Sequence, residues 1–329
     1  LLRSAVSTAG IHHLSFGPFA AATGYNLLHQ HLYNKGVFHN GQTVNGGTVN
    51  LANALKAAAE FHYVEVQTNS KVISIDTDNG ICTSVTLYDG KSVKAKTVVS
   101  GLDPQNTFIN LIGAPNLDPN FHTQLRNIKY RGSTARIHFA LKSLPEINGV
   151  SADQMGTVFS ICPTIEYLER ASDAVKYGRL AENPYVEFNI PTVNNPDFAP
   201  AEKHVLSATV QYAPYHLRGQ KWNDELKSLL KKNVVRILEK TIPDFSSLIE
   251  SSIVVSPLDL ENEFGLTEGN LNHGEMTLDQ FMFMRPTIST AQYKSPFKNL
   301  YLCGPGTHPG GGLHGANGFN AAQEILKDS

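Results

Sequence analysis

Residues 62–100 alternate between apolar and polar side chains, which is the period of two that half-buried β-strands produce. The alternation divides into four predicted strands, at 64–68, 71–77, 83–89 and 92–100. The sequences 78–80 (DNG) and 89–90 (DG) stand between strands and favour tight turns, because glycine accepts positive φ angles without steric cost. We therefore expect consecutive strands to pair through hairpins in this part of the chain.

A second pattern places apolar residues three and four positions apart, which predicts helices with one apolar face. The predicted helices cover 24–34, 51–61, 107–112, 120–127, 226–241 and 316–326. The clearest apolar face, on 226–241, is formed by Leu229, Leu230, Val234, Ile237 and Leu238. Further apolar segments predict strands at 133–141, 184–191, 204–214, 249–256 and 299–303. Strands interrupted by helices in this way favour the α+β fold class.

Length and charge narrow the classes of function. The chain has 329 residues, with 27 basic and 29 acidic side chains and a formal net charge of -2. This balance argues against binding driven by a basic surface, so no nucleic-acid partner is expected. No run of 18 apolar residues occurs, so no transmembrane helix is predicted, while peripheral membrane contact stays open.

The spacing of the cysteines and histidines predicts neither a metal site nor a redox-active disulfide. The three cysteines, at 82, 162 and 303, lack the CxxC spacing of redox-active disulfides. The pairs His12-His13 and His29-x-His31 lack a carboxylate or cysteine that would complete a ligand set, so no metal site is predicted. Arg131 and Arg285 are predicted to form structural ion pairs.

A glycine-rich segment follows the predicted strand 299–303 and precedes the predicted helix 316–326. Such a strand, loop and helix can bind phosphate, because the helix N-terminus presents free N–H groups. Gly304 and Gly306 give G-x-G, but the next glycine is Gly310, so the spacing departs from the dinucleotide fingerprint. Two interpretations stay open: a tight structural turn, or a backbone cradle that completes a site built mostly elsewhere.

The segment LYLCGPGTHPGGGLHGANGFNAAQEIL resembles the C-terminal flavin motif of the phytoene desaturase-like FAD-dependent oxidoreductases. Further similar stretches are GGTVNLANAL, KAKTVVSGLDPQNTF, YRGSTARIHFAL, YLERASDAVKYGR, HVLSATVQYAPYHLRG, PLDLENEFGLTEGN and HGEMTLDQFMFMRP. The terminal motif alone would also fit wider amine oxidase relatives, whereas the ordered set is more specific. The resemblance implies a two-domain flavoprotein plan.

In that family an N-terminal GxGxxG unit holds the FAD pyrophosphate, and these 329 residues contain no counterpart of it. The resemblance therefore implies the C-terminal portion of such an enzyme, with an incomplete FAD-binding domain and a mixed-sheet substrate domain flanked by helices. The expected segments are a helical, substrate-side segment at 1–44, parts of the FAD-binding domain at 45–104 and 291–329, and the substrate domain at 105–290.

Site residues follow from the resemblance, position by position. The implied cofactor-binding residues are Lys71, Val72, Gly304, Gly306, Thr307, Gly315, Ala316 and Asn317. The first two match a strand whose backbone contacts the adenine side of FAD, and 97–101 match the turn that returns to the FAD domain. Residues 304–307 match the loop beside the pyrophosphate and ribityl chain, and 315–317 match the start of the helix that faces the flavin.

His308, within that loop, is predicted to be catalytic, orienting substrate or exchanging protons near the flavin. The alternative is a loop histidine that bonds a backbone carbonyl.

The activity implied is transfer of hydride from a small apolar substrate to FAD; the alternative is a non-catalytic interaction or scaffold protein that retains the fold. Without the GxGxxG unit, we expect this chain alone to bind FAD weakly or not at all and to be inactive. We also expect it to self-associate through an exposed apolar sheet face. The expected location is cytoplasmic, or mitochondrial in a eukaryote.

Overall fold

The computed structural model describes residues 2–21, 23–34 and 44–328. Its α-helices are α1 (Leu2–Ile11), α2 (Thr23–Asn34), α3 (Thr48–Phe61), α4 (Pro119–Arg126), α5 (Ile165–Lys176), α6 (Pro191–Asn194), α7 (Asp224–Leu238), α8 (Phe245–Leu248), α9 (Pro257–Phe264) and α10 (Ala316–Lys327). A π-helix covers Gln105–Gly113. The six helices predicted from the apolar periodicity are all present, with ends that differ by a few residues.

The strands are β1 (Val72–Asp78), β2 (Ile81–Leu87), β3 (Ser92–Lys94), β4 (Val98–Ser100), β5 (Thr134–Leu141), β6 (Val158–Ile161), β7 (Tyr185–Asn189), β8 (His204–Gln211), β9 (Ile249–Val255) and β10 (Leu300–Leu302). They form a three-stranded sheet in the order β1-β2-β3, a parallel pair of β10 with β4, and a five-stranded sheet in the order β6-β7-β8-β5-β9. Neighbours in the three-stranded and five-stranded sheets are antiparallel. Helices combined with antiparallel and parallel strands confirm the α+β class.

One face of the five-stranded sheet is apolar and packs against α7. Alternate strand residues share a face, which places side chains such as Ile137 and Val210 in the same core cluster as the buried side of the helix. That side consists of Leu226, Leu230, Val234, Ile237 and Leu238. Leu229 is 46% exposed, so its predicted place on the buried face was wrong. The reason is that consecutive helical residues stand about 100° apart, and the face is centred on Leu230.

Two strand predictions in 62–100 needed correction. Residues 64–68 form no strand, and Val64 and Val66 are exposed, because an alternating sequence becomes a strand only beside a hydrogen-bonding partner. The predicted strand 92–100 is divided, since β3 pairs with β2 whereas β4 pairs with β10.

Six of the α-helices and strands were not predicted: α1, α5, α6, α8, α9 and β6. The start of α5 does carry a recognisable signal, because the Thr164 hydroxyl accepts a hydrogen bond from the Tyr167 N–H at 3.2 Å and caps the helix.

The chain divides into two compact units. The large-sheet unit comprises Leu1–Val66 and Gly132–Leu260 and contains the five-stranded sheet; the small-sheet unit comprises Gln67–Arg131 and Glu261–Ser329 and contains the other two. Residues 105–131 and 261–290 therefore group with the small sheets, and not with the five-stranded sheet as the predicted segment 105–290 has it. The assignment of cofactor and substrate to these segments stays a prediction.

Candidate functional site

A cavity of about 710 Å³ lies in the small-sheet unit where β4 ends, and it is termed the strand-end cavity. It is lined by Lys71, Val72, Ile75 and Val85, by residues 97–102, and by Asn106, Leu111 and Gly265. The carboxyl ends of the parallel strands β4 and β10 meet at one edge, and ligands of open parallel sheets bind at such an edge. Position and volume therefore fit a small-molecule site.

The backbone of Val72 faces the open side of its sheet. Among the described strands, β1 lies at the edge of the three-stranded sheet and pairs there with β2 alone. The Tyr88 N–H donates to the Lys71 carbonyl at 2.8 Å, so Lys71 points its backbone groups towards β2. Because consecutive residues of an antiparallel strand direct these groups to opposite sides, the N–H and C=O of Val72 point outward. They form a donor and acceptor pair that can recognise a ligand edge.

Gly101 gives the strand-end cavity its room. A Cβ atom at this position would meet only the Cys303 sulfur, at 3.8 Å, which is an ordinary van der Waals distance. A side chain there would fit beside the backbone and occupy the cavity that Gly101 lines. Steric crowding by the described neighbours therefore does not explain why residue 101 is a glycine.

Gly304 and Gly306 are glycines for a different reason. A Cβ atom on Gly304 would overlap the Gly101 carbonyl oxygen, and one on Gly306 would lie 3.0 Å from Pro104 Cδ. Both positions are glycine because the loop packs tightly against the segment that follows β4. This geometry favours the structural-turn interpretation for these two residues, and their contact with a cofactor stays a prediction.

Helix α10 is tied to the glycine-rich loop by Asn317. Its buried Nδ2 donates to the Thr307 carbonyl at 3.0 Å, to the Thr307 hydroxyl at 3.2 Å and to the His308 carbonyl at 3.3 Å. Gly315 adopts φ 66° at the start of the helix, a left-handed conformation that glycine accepts without strain. The side chains of Thr307 and Asn317 thus hold the loop against the start of α10.

His308 is fixed through its main chain. Its carbonyl accepts a hydrogen bond from the Tyr293 hydroxyl at 2.7 Å. Its ring Nδ1 is buried and has no hydrogen-bond partner among the described residues, so the ring does not bond a carbonyl through this atom. Burial, followed by the positive charge of Arg285, lowers the pKa of the imidazole, which is therefore neutral at neutral pH. Its catalytic role stays a prediction.

Arg285 is the main link between the glycine-rich loop and the preceding segment. Only 2% of it is exposed. The guanidinium donates to the Pro305 carbonyl at 2.8 and 3.0 Å, to the Gln280 carbonyl at 3.2 Å and to the Gly274 carbonyl at 3.0 Å, and also bonds the Asn272 carbonyl. Burial lowers the pKa of Arg285 to about 10, so it keeps its charge at neutral pH. A single side chain thereby bonds four backbone carbonyls.

The two arginine predictions had opposite outcomes. Arg131 forms an ion pair with Glu275, Nη2 to Oε2 at 2.5 Å, as predicted. The ion pair predicted for Arg285 was wrong, because its described hydrogen-bond partners are the four backbone carbonyls named above. The sequence did not predict these contacts, because every residue has a backbone carbonyl and the sequence does not indicate which carbonyls a side chain will bond.

A buried carboxylate beside the strand-end cavity was also missed. Asp103 is 1% exposed and accepts hydrogen bonds from the Asn106 N–H at 2.9 Å, the Thr267 hydroxyl at 2.9 Å and the Tyr130 hydroxyl at 3.3 Å. Burial and the charge of Asp103 raise the pKa of Tyr130. The network holds the start of the π-helix, and with it Asn106, at the cavity wall.

The structure thus separates the predicted cofactor residues into two groups. Lys71 and Val72 line the strand-end cavity, whereas the described lining includes none of the six at 304–307 and 315–317. Those six form one loop and helix start within the same compact unit.

Sequence comparison identifies the class of protein. Residues 25–326 match the family described as flavin containing amine oxidoreductase, and the chain belongs to that family. Pyridine nucleotide-disulfide oxidoreductase domain-containing protein 2 of Rattus norvegicus is 30% identical over 99% of this chain and 58% of its own length. A phytoene desaturase (lycopene-forming) of a Paracoccus species is 27% identical over 94% of this chain and 59% of its own length. These matches confirm the phytoene desaturase-like resemblance, and the chain spans about three fifths of these relatives.

A solved structure is consistent with this family. Cyclohexylamine oxidase from Brevibacterium oxydans aligns with a TM-score of 0.54 at 13% identity, covering 99% of this chain and 64% of that one. At this identity the likeness shows the fold alone. In the described ranges, no helix is both long and apolar enough to cross a membrane.

Proposed function

We propose that this chain is the C-terminal portion of an FAD-dependent oxidoreductase that transfers hydride from a small apolar substrate to the flavin. Family membership supports the flavin chemistry. The observation that carries the proposal is the outward-facing backbone of Val72 beside the room left by Gly101 in the strand-end cavity. A donor and acceptor pair next to a cavity at a parallel-strand edge suits the adenine end of a dinucleotide.

The residues present fit part of such a cofactor. Val72 would bond the adenine end, and the N-terminus of α10 would place positive partial charge near the flavin, worth about 1 kcal/mol for a nearby negative charge. Bound FAD supplies the acceptor of two electrons, while the protein contributes binding, orientation and exclusion of water. His308, as a neutral imidazole, would orient substrate or exchange protons in this arrangement.

An apolar substrate is supported by the relatives. One of them is named for phytoene desaturation, and desaturation removes hydride from a carbon of its substrate. The substrate class comes to this chain only by this relationship, because a fold by itself hosts many reactions.

FAD titration of the 329-residue chain, followed by flavin fluorescence polarisation, tests the cofactor site. We expect weak, saturable binding that ADP displaces, because the described cavity suits the adenine end. Gly101→Leu should weaken FAD binding at least about tenfold, roughly 1.4 kcal/mol, by occupying the cavity. Gly24→Leu, in α2, is the matched control, since its Cβ position has no described atom within 4 Å beyond its own helix backbone and its chain neighbours.

Each outcome bears on a different part of the proposal. Equal FAD affinity of wild type and Gly101→Leu would show that FAD binds outside the strand-end cavity. No saturable binding by a folded chain would overturn the assignment of the strand-end cavity as the subsite for the adenine end of FAD. Flavin retained stoichiometrically after desalting would contradict the expected weak affinity and leave the site in place.

A further inference from the structure

The face of the five-stranded sheet opposite the core contains a second cavity, of about 220 Å³, within the large-sheet unit. We term it the sheet-face cavity. Its volume has room for about seven water molecules at about 30 Å³ each. Arg136, Thr209 and Glu187 all line it.

These three residues stand in one row across three strands. The register pairs Arg136 of β5 with Thr209 of β8, and Thr209 with Glu187 of β7. Neighbouring strands lie about 4.8 Å apart, so the Cα atoms of Arg136 and Glu187 are separated by about 10 Å. A cation and a carboxylate therefore stand at two ends of one cavity, with a hydroxyl-bearing residue between them.

The two charges do not neutralise each other by contact. In the described part of the chain, Arg136 and Glu187 form no ion pair, and the Glu187 carboxylate accepts a hydrogen bond from the Tyr185 hydroxyl at 3.2 Å. Arg136 stays open to solvent, yet burial by its surroundings lowers its pKa and only the charge of Glu187 opposes this. Arg136 is accessible from the cavity, and a guanidinium can bind a ligand carboxylate through two parallel hydrogen bonds.

One wall of the sheet-face cavity is formed by a segment outside the sheet that hydrogen bonds hold in place. His12 and His13, which follow α1, line the cavity from outside the sheet. His13 adopts φ 61°, a left-handed conformation that costs a residue with a side chain free energy. It is held there because its N–H donates to Gln211 Oε1 at 3.1 Å and its Nδ1 lies 3.2 Å from the Thr134 hydroxyl. Gln211 in turn donates to the Ile11 carbonyl at 2.6 Å.

Two uncharged side chains, Ser207 and Asn189, add hydrogen-bonding capacity to the cavity. Ser207 and Asn189 also line the cavity, and the Ser207 hydroxyl lies 2.8 Å from Nδ1 of the neighbouring His138. Burial and the charge of Arg136 lower the pKa of His138, so that this imidazole is neutral at neutral pH. Arg136 and Glu187 carry the two opposite charges at the ends of the row.

We propose that the sheet-face cavity binds a small zwitterion, with its carboxylate on Arg136 and its ammonium group towards Glu187. A molecule that carries both charges satisfies both ends of the row, whereas a simple anion would be repelled by Glu187 and a simple cation by Arg136. The proposal does not rest on the flavin chemistry above, because every residue involved lies in the large-sheet unit.

Isothermal titration calorimetry of the whole chain, without FAD, tests this with three probes of one length: γ-aminobutyrate, butyrate and butylammonium. We expect γ-aminobutyrate to bind at least about tenfold more tightly than either singly charged probe, a difference of about 1.4 kcal/mol. A cavity built for one charge only would instead bind butyrate or butylammonium as tightly as γ-aminobutyrate, and that result would overturn the proposal.

Charge-neutralising variants identify the site. Arg136→Gln and Glu187→Gln should each weaken γ-aminobutyrate binding at least tenfold. Arg126→Gln and Glu146→Gln make the same charge changes at exposed positions that do not line the cavity, so they should leave binding unchanged. Circular dichroism establishes that each variant is folded, and Thr209→Val serves as a third variant if either charge variant is unfolded.

Two results would refute the assignment. One is binding of γ-aminobutyrate that both charge variants retain at wild-type affinity, which would place the site elsewhere. The other is a folded wild-type chain that shows no saturable binding of any probe up to about 10 mM, since two charged contacts should supply more affinity than that limit represents.

Discussion

At the scale of single residues, Gly101 and Gly304 show how one residue type serves two physical purposes. Gly304 has no side chain because the Gly101 carbonyl occupies the position of its Cβ atom. Gly101 has open space at the same position and lines the strand-end cavity. A glycine-rich motif in a sequence does not distinguish these cases, since both depend on which segment lies opposite.

Arg285 gives the sharpest stability prediction at this scale. Replacing it by methionine should lower the free energy of unfolding by about 3 kcal/mol or more, because buried carbonyls would lose a charged donor. Urea unfolding followed by circular dichroism measures the change. Arg126→Met removes an exposed guanidinium and should change the free energy by less than about 0.5 kcal/mol. Equal effects of the two variants would show that the buried hydrogen bonds contribute nothing specific.

At the scale of elements, α9 shows how a local sequence sets a helix start. The Asp259 carboxylate accepts hydrogen bonds from the Ser256 N–H and hydroxyl, each at 2.7 Å, while the Ser256 hydroxyl accepts from the Asp259 N–H at 3.3 Å. This reciprocal arrangement is a capping box, which supplies partners to backbone donors that a helix start leaves unpaired. Lys227 of α7 adds a bond to the same carboxylate at 2.7 Å.

The cap predicts an acid-dependent loss of stability. Burial alone would raise the pKa of Asp259, but hydrogen bonds from Lys227 and Ser256 outweigh it and lower the pKa below 3.8. The carboxylate therefore stabilises the fold fully above pH 3.8, and this contribution is lost as the pH falls through the lowered pKa. Asp259→Asn should cost about 1 kcal/mol at neutral pH and progressively less in acid.

Urea unfolding between about pH 6 and about pH 2.5 measures this difference. Asp197→Asn, at an exposed position, is the control and should leave the pH dependence unchanged. A difference between wild type and Asp259→Asn that stays constant over this pH range would exclude the carboxylate as its source.

Of the three scales, the sequence predicted most at the scale of helices and strands. The α7 face and the β1–β2 hairpin follow from local spacing and from the turn at 78–80, and both are present. Division of 92–100 between two sheets was not predictable, because it depends on the distant strand β10. The same holds for the site: Val72 was assigned through the family resemblance, while contacts with Asp103 and Thr267 hold Asn106 at the cavity wall.

At the scale of the whole molecule, many large apolar side chains are exposed on the described surface. Helix α3 has no buried residue, and its Leu55 and Phe61 are 64% and 80% exposed. In the small-sheet unit, Ile73 of β1 and Val99 of β4 are 44% and 43% exposed. Apolar side chains left exposed in this way can form an interface, and an unpaired strand edge can pair with another chain.

We therefore predict that the 329-residue chain self-associates through the exposed apolar sheet face. Light scattering against concentration should show oligomers, and Ile73→Lys should weaken their association about tenfold, roughly 1.4 kcal/mol. Leu144→Lys, at a loop position that is 42% exposed, is the matched control. A monodisperse monomer at all concentrations would contradict the prediction.

The sequence by itself determined the helices with regular apolar faces, the hairpins, the α+β class and the flavoprotein family, because each is encoded in local periodicity or in an ordered set of motifs. Tertiary structure decided which side chains share a site. Strand register placed Arg136 and Glu187 in one row although 51 residues separate them in the chain, and loop packing made Arg285 a donor to four carbonyls. Such groupings depend on long-range contacts, whose partners local sequence does not specify.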